Sequence, residues 1–261
     1  DSVTYIFEDS KKRLWIGMFG AIAHYKGKGK FTKLSWYSGS QNGFDYTVIS
    51  DISEDSRGQI WVRTWNALYR WNEEKQKLQR ISLKINKGIS SGPVEDSEGR
   101  LWLFGVDYGA IVIDPITTKV VKRFKTSDAD KHGLFSSFIS DIHKDSKGRM
   151  WLGDPQANKN SLFRYDEAAN FFKGYHYDPN DSTTVRGDEI RYIVNDDLGR
   201  MWVGTDDGIG RYDDERDLFL WNADFNNIPS TYRYWVAGNG KLWIATYSGG
   251  GLVLIGPGIN D

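Results

Sequence analysis

The chain has no cysteine, and among its 261 residues only three methionines, four histidines and six prolines. Without thiols, neither a disulfide framework nor a thiolate metal site can form, and their absence fits an oxidising compartment. The histidines, His24, His132, His143 and His176, show no metal-ligand spacing. Charge of one sign is lacking too. The 34 Lys and Arg offset 35 Asp and Glu without a long run of either, so nothing attracts a phosphate backbone or anionic lipid, and neither nucleic acid nor direct membrane insertion is expected. No apolar run approaches the roughly 20 residues of a membrane span. The first residues lack a signal-peptide pattern, so an exported protein would be present here as its mature form or an excised piece. The segment Gly153 to Ser161 holds Lys159 but lacks the glycine and following helix of a phosphate-cradling loop. There is no nucleophile elbow and no calcium loop, and no cofactor or metal is expected.

Tryptophan, by contrast, recurs in a fixed phrase: Glu8-Asp9 to Leu14-Trp15, Glu54-Asp55 to Ile60-Trp61, Glu95-Asp96 to Leu101-Trp102, Lys144-Asp145 to Met150-Trp151, Asn195-Asp196 to Met201-Trp202, and a worn copy ending Leu242-Trp243. These tryptophans lie 41 to 51 positions apart, the period of propeller blades. In the second copy, Val48–Ser53, Ile60–Arg63, Ala67–Trp71 and Lys77–Ile81 read as four strands around tight polar turns, and no window carries the helical period. The expected fold is all-β: a β-propeller of about six four-stranded antiparallel blades, one domain over residues 1–261, with repeats near 3–47, 48–88, 89–137, 138–188, 189–233 and 234–261. Asp55, Asp96 and Asp145 read as turn residues whose carboxylates accept backbone amides, not as a catalytic array.

The ends depart from the pattern. Lys12 stands where the other copies have Gly58, Gly99, Gly148 and Gly199, so the first turn must change geometry or accept strain. The sixth copy stops after Gly251–Ile255, and its blade is expected to lack the outer strand. A piece cut from a longer chain is the favoured explanation.

The phrase Ile49-x-x-Ile52-x-Glu54-Asp55-Ser56-x-Gly58-x-Ile60-Trp61-Val62, with Gly204–Gly208 and Arg211-Tyr212-Asp213 later in the fifth copy, resembles the two component regulator propeller repeat. Tyr175–Ser182 resembles the connector between its blades. The resemblance implies the periplasmic sensor domain of a hybrid two-component system of the kind found in gut Bacteroidetes, responding to glycan fragments. It further implies additional sensor domains and a histidine kinase in the parent protein, with no enzyme activity in this chain itself.

In such a blade, the loop after the second strand and the connector between blades emerge at one end, and here those segments vary while the scaffold repeats. Trp65, Tyr108 and Tyr247 are large rings where small polar residues suffice, and Asp107, Asp154, Asp206 and Arg233 lie on the same loops or connectors. A ring to stack on a sugar face and carboxylates or guanidinium groups for its hydroxyls make these, with Arg63, the expected ligand-binding residues. Trp36, Tyr37, Phe44, Tyr46, Arg186 and Tyr232 add to the same rim. Arg63 stands where other copies carry glycine (Gly17, Gly153, Gly204), so it should reach the channel mouth or pair with Asp107. The expected ligand is an oligosaccharide. The alternatives are a polysaccharide lyase or hydrolase, and a protein-interaction scaffold.

Overall fold

The computed structural model describes residues 3–25, 30–34, 48–85, 88–106, 108–125, 132–134, 136, 138–154, 161–187, 189–221, 231–236, 241–246 and 252–255. Among the described residues, every regular element longer than one residue is a strand. The first sheet is β1 (Val3–Glu8), β2 (Leu14–Met18), β3 (Ala21–Tyr25) and β4 (Phe31–Leu34); the second is β5 (Ile49–Glu54), β6 (Ile60–Thr64), β7 (Leu68–Asn72) and β8 (Lys77–Ile81). The third is β9 (Ile89–Glu95), β10 (Leu101–Gly105), β11 (Gly109–Ile113) and β12 (Val120–Phe124). The fourth is β13 (Asp141–Lys144), β14 (Met150–Gly153), β15 (Leu162–Asp166) and β16 (Phe171–Tyr175), and the fifth β17 (Ile190–Asn195), β18 (Met201–Thr205), β19 (Gly208–Asp213) and β20 (Leu218–Trp221). The sixth has three strands, β21 (Thr231–Val236), β22 (Leu242–Thr246) and β23 (Leu252–Ile255), as its sequence predicts. The chain groups into two compact units, residues 1–105 with 111–122, and 106–110 with 123–261.

One hydrogen-bonded brace explains the repeated phrase. In the fourth blade, Oδ1 of Asp145 accepts the amides of Lys147 (3.0 Å) and Arg149 (2.9 Å), while Oδ2 accepts Arg149 Nε (2.6 Å) and the indole N–H of Trp151 (2.8 Å). Asp9, Asp96 and Asp196 repeat the arrangement on Arg13 and Trp15, Arg100 and Trp102, and Arg200 and Trp202. In the second blade Gln59 stands at the arginine position, and Asp55 keeps its amide and indole bonds. The amide bonds are those the turn chemistry predicts; the indole and guanidinium bonds add a tie from turn to core. Burial alone would raise the Asp96 pKa, but hydrogen bonds from Trp102, the Arg100 amide and the Arg100 guanidinium outweigh it and hold the carboxyl below its ordinary range. Lys12 resolves the question at the first turn by accepting the strain, keeping the glycine-like backbone at φ 62°.

Two of the buried indoles pack across to the following blade. Trp15 meets Trp71 edge-on at 5.4 Å, and Trp151 meets Tyr212 at 4.8 Å. Separate apolar clusters join blades one and two around Ile49, Ile52 and Val62, two and three around Leu68, Leu103 and Ile111, and four and five around Ile190, Val203 and Phe219. Polar latches follow the same direction. The amide and hydroxyl of Ser10 bond Glu54 (2.6 and 2.7 Å), and those of Ser56 bond Glu95 at the same distances. Arg13 reaches Glu73 (2.8 Å) in the next blade, and Arg149 reaches Asp214 likewise. The glycine after Trp-Ile or Trp-Leu also has a reason: a Cβ on Gly17 would stand 2.7 Å from Ile49, and one on Gly153 2.5 Å from Ile190. The first strand of the next blade occupies that space.

Candidate functional site

In blades one, two and four, the loop after the second strand is built around a backbone joint to the incoming connector. Phe19 forms a bridge with Val48, the carbonyl of Trp65 accepts the amide of Ile89 (2.7 Å), and that of Asp154 accepts Ile190 (2.9 Å). Because only the main chain makes this joint, it leaves the side chain open to change from blade to blade.

The residues singled out in the sequence take different places. Trp65 is 48% exposed. One part of its ring lies on the connector at Gly88, where a Cβ would come within 2.2 Å of it. Arg63 does not reach a carboxylate: its Nη1 donates to the Ile89 carbonyl at 3.0 Å, and its Nε is buried with no partner. Its register partner on β5 is Asp51. Burial lowers the Arg63 pKa, opposed by Asp51 and Tyr5. Asp154 is buried. Asp206 is exposed, and Oδ1 accepts the Glu189 amide at 3.2 Å, tying its loop to the connector beside Gly187. Tyr108 is half-buried in the turn before β11. Arg233 lies on β21 opposite Ala245. Asp107 and Tyr247 lie outside the described residues, as do Trp36, Tyr37, Phe44 and Tyr46. Arg186 sits over the Trp221 ring at 5.6 Å, and the connector before it binds β20 through the Thr183 and Thr184 carbonyls. His143 is half-buried beside Asn195 of β17, facing the neighbouring blade, and desolvation lowers its pKa.

Sequence reasoning missed a cavity of about 370 Å³ next to the Trp65 loop. It is bounded by Asn66, Leu68, the end of β8 and the connector through Lys84, Ile85 and Ile89. Arg80 and Lys84 are exposed on it, and no motif marks them. Only the break in the strand pattern after Ile81 hinted at a wider connector. A second cavity, about 360 Å³, opens at the turn end between the fourth and fifth blades, where Lys147 and Arg149 both pair with Asp214. Among the described residues, no three His, Cys, Asp or Glu side chains gather as a metal site, and no helix is long and apolar enough to cross a membrane.

A model of the two component regulator propeller matches residues 133–156 and 184–207. Six copies resemble the repeat by eye; the match falls on the fourth and fifth. No curated protein matches the chain. Among solved structures, it is similar to the extracellular domain assigned to a hybrid two component system of B. thetaiotaomicron (TM-score 0.75, 23% identity, covering 98% of this chain and 34% of that one). It is also similar to virginiamycin B lyase from Staphylococcus aureus with quinupristin (0.69, 16%, 99% and 85%) and to PorZ, a surface component of the type-IX secretion system of Porphyromonas gingivalis (0.67, 16%, 98% and 40%). The chain thus spans about a third of the first of these. At such identities each of these likenesses is one of fold alone. The chain is a β-propeller whose fourth and fifth blades carry two component regulator propeller repeats.

Proposed function

We propose that this chain is a ligand-sensing propeller of an extracytoplasmic sensor in a hybrid two-component system, located in the periplasm. In this reading it binds an oligosaccharide at the loop end of its blades and acts by binding, not turnover. A histidine kinase and further sensor domains elsewhere in the parent protein receive the signal. The observation that carries the reading is the pair of matched repeats, joined to a loop end whose side chains differ from blade to blade on a constant backbone joint. Signal strength is then bounded by the difference in ligand affinity between two states of the sensor.

The test is a thermal shift across an oligosaccharide panel. A ligand present at about 100 times its dissociation constant should add about 2.7 kcal/mol to stability. Product formation from a saccharide without any shift would replace this reading with that of a lyase or hydrolase, and a flat panel with capture of a protein partner would replace it with a scaffold.

A further inference from the structure

The cavity beside the Trp65 loop has an uneven chemistry. Its floor is apolar and buried, with Leu68 and Ile81 beneath it, while Asn66 and Ser82 bring side-chain hydrogen-bonding groups to its edge. Two cations, Arg80 and Lys84, complete the wall, and among the described residues no Asp or Glu lines it. Neither cation has an ion pair or side-chain hydrogen bond among the described residues. Six arginines elsewhere in the molecule differ: Arg13, Arg57, Arg100, Arg149, Arg164 and Arg200 each sit on a carboxylate. Lys84 also holds a left-handed backbone at φ 51°, a conformation that costs a lysine about 1 kcal/mol or more and that glycine would take freely. An unrelieved strain of this kind at a cavity wall invites a functional reason.

The volume bounds the occupant. About 370 Å³ is near the lower end of ligand pockets, roughly 300 to 1,000 Å³, so it suits one sugar ring rather than a chain. An apolar floor under a rim of donors fits the mixed faces of a pyranose, and two uncompensated cations favour a carboxylate or sulfate on it.

The geometry points to a subsite for an acidic sugar residue: Arg80 and Lys84 bind the anionic group of a uronate or sulfated sugar, with Asn66 and Ser82 on its hydroxyls. This rests on the sensing role proposed above and names the ligand class.

The test is a titration of the isotope-labelled chain, followed by amide NMR, with sodium glucuronate, glucose 6-sulfate and glucose. The same titrations are run on the Arg80→Gln, Lys84→Gln double variant. Both side chains are exposed, so the variant should fold, and its unliganded spectrum checks that. The acidic probes should move the amides of Asn66 and Ser82, weaken with added salt, and bind about tenfold or more weaker to the double variant. Glucose should leave these amides unmoved at the same concentrations. Equal binding of an acidic probe to both proteins, or of glucose and glucuronate to the native chain, overturns the subsite. If neutral oligosaccharides raise the melting temperature while both acidic probes leave these amides still, the subsite fails and the sensing role stands. If no saccharide of either charge binds, both fall.

Discussion

The two ends of a blade treat charge in opposite ways. At the turn end, the same brace of aspartate, arginine and tryptophan recurs in blades one, three, four and five, and each brace arginine sits on its carboxylate. At the loop end only a main-chain joint recurs, and the residue making it changes from Phe19 to Trp65 to Asp154. Beside it Arg80 and Lys84 are unmatched. Stability that depends on side-chain chemistry forces the sequence to repeat, whereas a backbone joint leaves side chains available for recognition.

Four changes break or sharpen that contrast. Trp102→Ala removes a fully buried indole and should cost about 3 to 5 kcal/mol in urea unfolding through the cavity it leaves; a variant as stable as the parent would refute the assigned register. Asp196→Ala leaves the Trp202 indole and the Arg200 guanidinium without their acceptor, and a loss of about 3 kcal/mol is expected by the same measurement.

Acid should act on a third site. Burial would raise the Asp217 pKa, but Lys173, Tyr212 (2.6 Å), Tyr175 (2.7 Å) and Arg164 (3.1 Å) together hold it down to about 2. Because the folded pKa lies below the ordinary carboxyl value of 3.8, this contribution is complete above that value and disappears as pH falls toward about 2. Urea unfolding of the native chain should therefore weaken more steeply between those values than that of Asp217→Asn; equal slopes would remove Asp217 from the account. The smallest effect belongs to Lys12→Gly, which relieves the one non-glycine turn among the braces and should raise stability by about 0.5 to 1 kcal/mol.

Much of the turn end was legible in the sequence. The spacing of Asp55 to Trp61 and of its copies announces both the turn and the buried ring. The bond from carboxylate to indole was not legible, because spacing gives proximity and not the direction of an N–H. At the loop end, Trp65 was singled out as a ligand-binding ring; it is 48% exposed, and no sequence pattern marks that part of it covers Gly88. Arg63 was expected at the channel mouth or paired with Asp107; its Nη1 donates to the Ile89 carbonyl of the neighbouring blade, and Asp107 lies outside the described residues. Arg80 and Lys84 escaped notice because an exposed cation on an outer strand carries no pattern until the fold shows that nothing neutralises it.

The most direct test compares Trp65→Ala with Asp196→Ala, measuring urea stability and affinity for whichever saccharide shifts the melting temperature most. The division of labour predicts that Trp65→Ala stays within about 0.5 kcal/mol of the parent, as expected of a half-exposed ring, while losing saccharide affinity, and that Asp196→Ala loses stability while its folded fraction binds normally. A Trp65→Ala protein that unfolds early yet binds like the parent would contradict it.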